Sequence, residues 1–396
     1  MKNQADTING EGDNDTIDGG AGNDSLLGGA GDDEITAGTG DDDIDGGDDA
    51  DLIILSTNLT SGDTISGGDG SDELTYTDAV AGGDELDNVT LVETITLGNA
   101  NTTVVTVDTL VAAGATLTVD GSALNGNTLD WDDSAELDGK FSIISGNGND
   151  TITVGAGDDT VTSGVGTDTI TLTAGNNVVS AGDGNDTIYA GTGNDSIDGG
   201  NNDDDIIFDG TNTLTADDTV AGGASDDEVK VNMTAAVTFT LDADFTGIET
   251  LTIVDQVDDM SGFDASITLD ATFNNGVNLT IDASSLDDEV VATSAAETLN
   301  LNASAVVNGS LNVLGGTGDD TVFLGVGSDT VDMGAGDDRL KIDIDDLTSA
   351  DDLDGGTSSS DTLEFTTAGT IADADFTNVT EFETLVLANG TNNVTL

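Results

Sequence analysis

Cysteine, proline and histidine are all absent from these 396 residues, and each absence closes off some chemistry. Without Cys no disulfide can brace the fold. Without Pro the chain can run through long strand ladders, in which a missing N–H would be a defect. Without His, Ser-His-Asp and Cys-His catalysis drop out, together with imidazole zinc sites and most proton shuttling near neutral pH. A glycosidase needs only two carboxylates, but among 80 acidic residues no pair stands out. The expectation is that this chain is not an enzyme.

Positive charge is scarce as well. Lys2, Lys140, Lys230, Arg339 and Lys341 face 80 acids, for a formal charge of −75. Such a field repels nucleic acid and anionic membrane surfaces, so neither is expected as a partner. No apolar run approaches the roughly 18 to 20 residues of a membrane span, so membrane insertion is not expected either. The opening Met1-Lys2-Asn3-Gln4-Ala5-Asp6 carries no hydrophobic stretch of the classical signal-peptide kind. Aromatics make up 3% of the chain, too few for a wide globular core. Acidic, aromatic-poor chains are often disordered, yet here 36% of residues are apolar and recur at fixed phase. A narrow solenoid interior needs only Ile, Val and Leu.

What is present is one nine-residue phrase, as in Gly19-Gly20-Ala21-Gly22-Asn23-Asp24-Ser25-Leu26-Leu27. We number its Asp as position six and its central apolar residue as position eight. From Gly10 to Ile54 five units run in succession, with Asp15, Asp24, Asp33, Asp42 and Asp51 at position six. Their position-eight residues are Ile17, Leu26, Ile35, Ile44 and Ile53. After an interruption Asp63/Ile65 and Asp72/Leu74 resume the pattern. Seven units from Ser145 to Ile207 place Asp150, Asp159, Asp168, Asn177, Asp186, Asp195 and Asp204 at position six, followed by Asp218/Val220 and Asp227/Val229. A third run holds Asp320, Asp329 and Asp338, followed by Asp351/Leu353 and Asp361/Leu363.

Gly at positions one, two and four permits the crowded, positive-φ backbone of a tight turn. The triplet around position eight is a short strand with its apolar residue inward. Two units make a coil of 18 residues, so units i and i+2 stack at the ~4.8 Å strand spacing. Position-six carboxylates of successive coils then lie nearly over one another. At an effective dielectric near 20 each pair repels by roughly 3 to 4 kcal/mol, and a column of them needs a cation. Carboxylate and carbonyl oxygens suit a hard ion taking six to eight ligands, Ca2+ rather than Mg2+ or a transition metal. Turn formation alone would explain an Asp in each turn, but not its strict spacing of nine. The expected ligands are Asp15, Asp24, Asp33, Asp42, Asp51, Asp63, Asp72, Asp150, Asp159, Asp168, Asp186, Asp195, Asp204, Asp218, Asp227, Asp320, Asp329, Asp338 and Asp361. They would hold about 8 to 12 Ca2+ ions, most of them in 145–207 and fewest in the third block.

Between the blocks the repeat vanishes but period-two alternation persists, in Thr116-Leu117-Thr118-Val119-Asp120 and Asn278-Leu279-Thr280-Ile281-Asp282. Glu93-Thr94-Ile95, Glu249-Thr250-Leu251 and Glu383-Thr384-Leu385 form a super-repeat. The layout is a first block at 1–75, linking coils at 76–144, a second block at 145–231, and linking coils at 232–313. A third block follows at 314–365, and 366–396 starts a further solenoid segment. The stop at Val394-Thr395-Leu396, just after the third Glu-Thr-Leu strand, reads as part of a longer array. Trp131, the sole Trp, reads as a plug within a coil. The fold class expected is all-β, an elongated right-handed parallel β-roll or β-solenoid with calcium-binding turns.

The nonapeptides resemble the RTX family, and the alternation with Glu-Thr-Leu strands resembles bacterial RTX surface-layer proteins and giant RTX adhesins. The resemblance implies secretion to the bacterial cell surface, by type I export with a C-terminal signal, and folding in millimolar calcium. It implies a calcium-dependent structural protein, a surface-layer or extracellular filament or matrix subunit. The alternatives are the stalk of a secreted RTX adhesin and, less favoured by three blocks in one chain, the calcium-folding module of a secreted enzyme. The partners expected are further copies of the chain, joined through Ca2+ into a sheet or filament, and cell-surface polysaccharide. Lateral contact would need bridging cations at acidic clusters such as Asp203-Asp204-Asp205.

Overall fold

The computed structural model describes residues 4–77, 85–210, 214–255, 264–273, 278–286, 297–307 and 309–394. The alternation of short strands and glycine turns closes into coils, and the strands of successive coils pair in parallel. The described residues hold no α-helix, only a 3-10 turn at Asp373–Phe376. No helix is long and apolar enough to cross a membrane. The chain divides into two compact units, Met1–Asn201 and Asn202–Leu396, with the boundary inside the 145–231 segment.

In the first unit each nonapeptide contributes one strand and two contribute one coil. Thr16–Ala21 pairs with Glu34–Thr39, aligning Ile17 with Ile35, 18 residues on. Ser25–Ala30 pairs with Asp43–Asp48 on the other side of the coil, aligning Leu26 with Ile44. The register follows from the period of two: sliding one residue would turn every Ile outward. Ile35, Ile53, Ile152 and Ile170 are fully buried and stack along the axis. The linking coils continue the stack with different turns. Thr94–Leu97 pairs with Thr116–Asp120, which pairs with Lys140–Ile144. Leu129–Asp132 pairs with Thr151–Thr153, setting Trp131 over Ile152 with 0% exposure. Trp131 is therefore a plug in the coil, edge-on to Phe141 at 6.0 Å between ring centroids.

The second unit repeats the scheme with longer coils. Val237–Leu241 pairs with Ala265–Leu269, which pairs with Leu299–Asn302. From there Thr321–Phe323, Arg339–Ile342 and Thr362–Phe365 carry the third block. A second ladder runs through Glu228–Met233, Thr250–Asp255, Leu279–Asp282, Leu311–Leu314, Thr330–Asp332 and Asp352–Asp354.

Candidate metal centre

The turns can stack because glycine leaves room for backbone. At Gly38 and Gly40, with φ of +107° and +144°, an added Cβ would lie 2.0 and 1.9 Å from the carbonyl oxygens of Gly20 and Gly22 in the preceding coil. No side chain fits there, and positive φ disfavours any residue but glycine. The close approach brings position six of one coil under position six of the next.

Each position-six Asp points inward along the stack and is buried, at most 5% exposed from Asp24 to Asp361. Its Oδ1 accepts the backbone N–H of the residue one coil earlier. In the first block Asp6, Asp15, Asp24 and Asp33 donate to Asp24, Asp33, Asp42 and Asp51 at 2.7 to 2.9 Å. Asp42 and Asp51 donate to Asp63 and Asp72 at 2.8 Å. In the second block Asp150 and Asp168 donate to Asp168 and Asp186 at 2.8 Å, and Asn177 donates to Asp195 at 2.9 Å. In the second unit Asp204 donates to Asp227 at 2.9 Å, and Asp320 and Asp338 donate to Asp338 and Asp361 at 2.7 and 2.9 Å.

The columns begin and end in ways the repeat does not announce. At their start the donor is an apolar residue: Leu129 to Asp150, Phe141 to Asp159, Leu299 to Asp320 and Leu311 to Asp329. At their end the acceptor is the glutamate of the Glu-Thr-Ile/Leu strand. Glu93, Glu249 and Glu383 take the N–H of Asp72, Asp227 and Asp361 through Oε2 at 2.8, 2.8 and 3.0 Å. The recurrence of that tripeptide 21 or 22 residues after the last Asp was the available signal.

The second carboxylate oxygen divides the Asp residues into two kinds. In Asp15, Asp24, Asp33, Asp51, Asp72, Asp150, Asp159, Asp168, Asp227, Asp338 and Asp361 the buried Oδ2 has no hydrogen-bond partner. In Asp63, Asp218 and Asp351 it accepts both the N–H and the hydroxyl of a Thr three residues earlier: Thr60, Thr215 and Thr348, at 2.7 to 3.2 Å. Asp320 Oδ2 takes the Gly316 N–H at 3.0 Å. At Asn177 the side-chain carbonyl accepts from Asp159 while the amide NH2 faces the Gly175 carbonyl, so this slot is satisfied with no charge. Of the expected ligands, Asp63 and Asp320 thus have both oxygens engaged, and Asp218 has its Oδ2 engaged.

Burial sets the electrostatics. It pushes the carboxyls of Asp51, Asp159, Asp227, Asp320 and Asp329 up to about 6, against the pull of the backbone N–H each accepts. Asp338 goes to about 7, with Asp320 and Asp361 adding like charge. Asp42, Asp72, Asp150, Asp168 and Asp186 are raised for the same first reason. An ionised carboxylate with an unpartnered oxygen in a dry interior is costly unless a cation compensates it. Hard oxygen donors, buried and repeated at one coil spacing, are the donor chemistry of Ca2+.

The RTX calcium-binding nonapeptide repeat family matches residues 3–26, 19–53, 60–76, 142–170, 171–206, 180–214 and 312–340. The chain is an RTX β-roll repeat protein. No curated protein and no solved structure matches it. Most of the Asp residues with an orphaned Oδ2 lie in these stretches, Asp227 and Asp361 fall just beyond them, and the linking coils at 85–141 and 232–307 lie outside the match. One acidic cluster is divided between the column and the surface. In Asp203-Asp204-Asp205 the middle residue is buried in the column, Asp203 is exposed, and the partly exposed Asp205 pairs with Lys230 at 3.0 Å.

Proposed function

We propose that this chain is a calcium-dependent structural protein of the bacterial cell surface, a surface-layer or extracellular filament subunit whose β-roll folds and assembles on binding Ca2+. The observation that carries the reading is the set of buried Asp Oδ2 atoms left without partners in both units. The position-six Asp residues whose Oδ2 is unpartnered would hold the ions through that oxygen, while Oδ1 stays on the backbone of the coil before. Bound calcium supplies the positive charge that the columns lack. Metal binding free energy then becomes folding free energy.

Work as a material rather than as a catalyst follows from the same features. The buried position-six carboxylates line the axis of the stack, and the chain has no His or Cys to serve as nucleophile or base. RTX repeat proteins are typically exported, and external calcium would delay folding until the chain has left the cell. The test is far-UV circular dichroism of the protein stripped of calcium and then titrated with it, followed by electron microscopy. Calcium-dependent β-structure that assembles into ordered sheets or filaments supports the proposal. A fully formed sheet without calcium would refute calcium-driven folding, and a soluble monomer in calcium would favour an adhesin stalk over a surface-layer subunit.

A further inference from the structure

Acid covers most of this chain, yet one strip of strand surface in the second unit has none. On the strands Val237–Leu241, Ala265–Leu269, Leu299–Asn302 and Thr321–Phe323, which pair in that order, no outward side chain is acidic. The next strand, Arg339–Ile342, turns Arg339 and Lys341 outward, two of the five basic residues that face 80 acids. Along this ladder acid returns on the strand after that, at Glu364. Glu364 is taken by Arg339 at 3.1 Å, and among the described residues Lys341 forms no ion pair.

The strip is also grooved. Ser266, Thr268, Asn300, Asn302, Phe323 and Lys341 line a shallow depression of about 330 Å3, at the small end of ligand clefts. The register sets them in two rows: Thr268, Asn302, Phe323 and Lys341 in one, Ser266 and Asn300 in the other. Neighbours within a row stand ~4.8 Å apart, and the rows are separated by roughly two residue rises, ~6.6 Å. Phe323 is half-buried on the outer face, while Val322 beside it fills the core at 0% exposure. The ring is therefore surface, not packing. Asn302 Oδ1 accepts the N–H and the hydroxyl of Ser304 at 3.2 and 2.7 Å, which fixes the orientation of the amide and leaves its NH2 to donate.

An occupant of this groove must give Phe323 an apolar face, give the hydroxyls and amides polar groups at its edge, and give Lys341 a negative charge. A pyranose ring bearing a carboxylate offers all three: a C–H face, ring hydroxyls and an anionic group. We propose that the groove binds an acidic polysaccharide, a chain containing uronic acid, with one sugar ring stacked on Phe323 and its carboxylate on Lys341. Asn302 and Thr268 then meet the hydroxyls of the adjoining sugar, with Asn300 and Ser266 alongside. The acid-free strip is what admits such a ligand. At physiological salt, charges beyond ~8 Å are largely screened, so the local groups outweigh the distant acids. None of the lining residues is a position-six Asp, so the site is separate from the calcium columns.

Saturation-transfer NMR on the full chain in calcium tests this, with trigalacturonate as the probe and maltotriose as an uncharged control. Trigalacturonate should bind saturably, and maltotriose at least about tenfold more weakly, because it lacks the charge that Lys341 pairs with. Phe323→Ala and Lys341→Gln should each raise the dissociation constant about tenfold or more. Tyr189→Ala, which removes an exposed aromatic of the first unit, should leave it unchanged. Calcium-induced circular dichroism should be retained in every variant; if Phe323→Ala does not fold, Lys341→Gln decides alone. No saturable binding, equal binding of maltotriose, or wild-type affinity in the folded variants would overturn the proposal. Loss of assembly in the variants, with no sugar bound by wild type, would assign the strip to a second copy of the chain and likewise overturn it. Failure of calcium-driven folding looks different, since β-structure would then not respond to calcium at all.

Discussion

Acid should partly replace calcium. Asp133, at 0% exposure, is pushed up to about 8 by burial first and then by Asp159, while burial raises Asp320 and Asp329 to about 6. Since these folded-state values lie above the ordinary 3.8, the fold holds protons that the unfolded chain has released. Stability without calcium therefore falls as pH rises from about 4 through each raised value, and it returns as pH is lowered. At ~1.4 kcal/mol per pH unit, ionising Asp133 costs the fold on the order of 6 kcal/mol above pH ~8. Asp320 and Asp329 cost about 3 kcal/mol each above pH ~6. Between about pH 8 and pH 5 these three groups return roughly 6 kcal/mol, comparable with the whole stability of an ordinary domain at about 5 to 15.

The assay is far-UV circular dichroism and urea unfolding of calcium-stripped protein at a series of pH values, kept above the pI of 4.1 to avoid precipitation. The calcium-free chain should gain β-structure and urea resistance toward pH ~5. In saturating calcium the trend should reverse, because protons and Ca2+ compete for the same oxygens. Calcium-free β-structure that stays flat or declines on acidification would refute the reasoning.

Asp33→Asn should remove calcium from the bound total, whereas Asp63→Asn should leave the stoichiometry unchanged, since Thr60 already occupies Asp63 Oδ2; native mass spectrometry counts the ions. Replacing Glu249 by Ala leaves the Asp227 N–H unpartnered and should cost about 1 to 3 kcal/mol, while Glu249→Gln, which keeps an acceptor, should cost less; thermal melts in calcium compare them. Gly38→Ala should disrupt the coils around it, because its Cβ would sit 2.0 Å from the Gly20 oxygen at a φ of +107°; a calcium midpoint equal to that of wild type would contradict this.

The axial core was legible because its cause is local. A residue every nine positions, apolar and flanked by Thr or Asp, can only point inward once two units close a coil, and Ile17 over Ile35 follows from counting. Trp131 was readable for the same reason: a lone large ring in a chain of Ile and Val has nowhere else to go. The fate of each second carboxylate oxygen was harder. Thr60, Thr215 and Thr348 sit three residues before Asp63, Asp218 and Asp351, a local side-chain-to-backbone turn pattern. In a chain crowded with Thr and Asp that spacing carries little signal until the coil is closed. The roles of Glu93, Glu249 and Glu383 depend on a neighbour a full coil away. The burial of Asp133 carries no periodic mark among 80 acids.

The two sorts of coil imply an order of folding. In a stacked array stability is the sum of what each coil and each neighbouring interface contributes, so folding can begin wherever those terms are most favourable. Coils in the RTX stretches carry the cost of orphaned carboxylates until an ion arrives. The linking strands of the second unit bury apolar side chains instead: Val237–Leu241 and Ala265–Leu269 bury Val237, Phe239, Leu241, Ile267 and Leu269, while Asp242, Asp264 and Asp270 are on the outside. Thr250–Asp255 and Leu279–Asp282 add Leu251, Ile253, Leu279 and Ile281 to the same core. At sub-saturating calcium, hydrogen exchange should therefore show protection at 237–241 and 265–269 before it appears at 321–323 and 339–342 in the same ladder. Simultaneous protection of both groups, or protection of the RTX strands first, would mean that the linking coils depend on the calcium blocks rather than serving as their template.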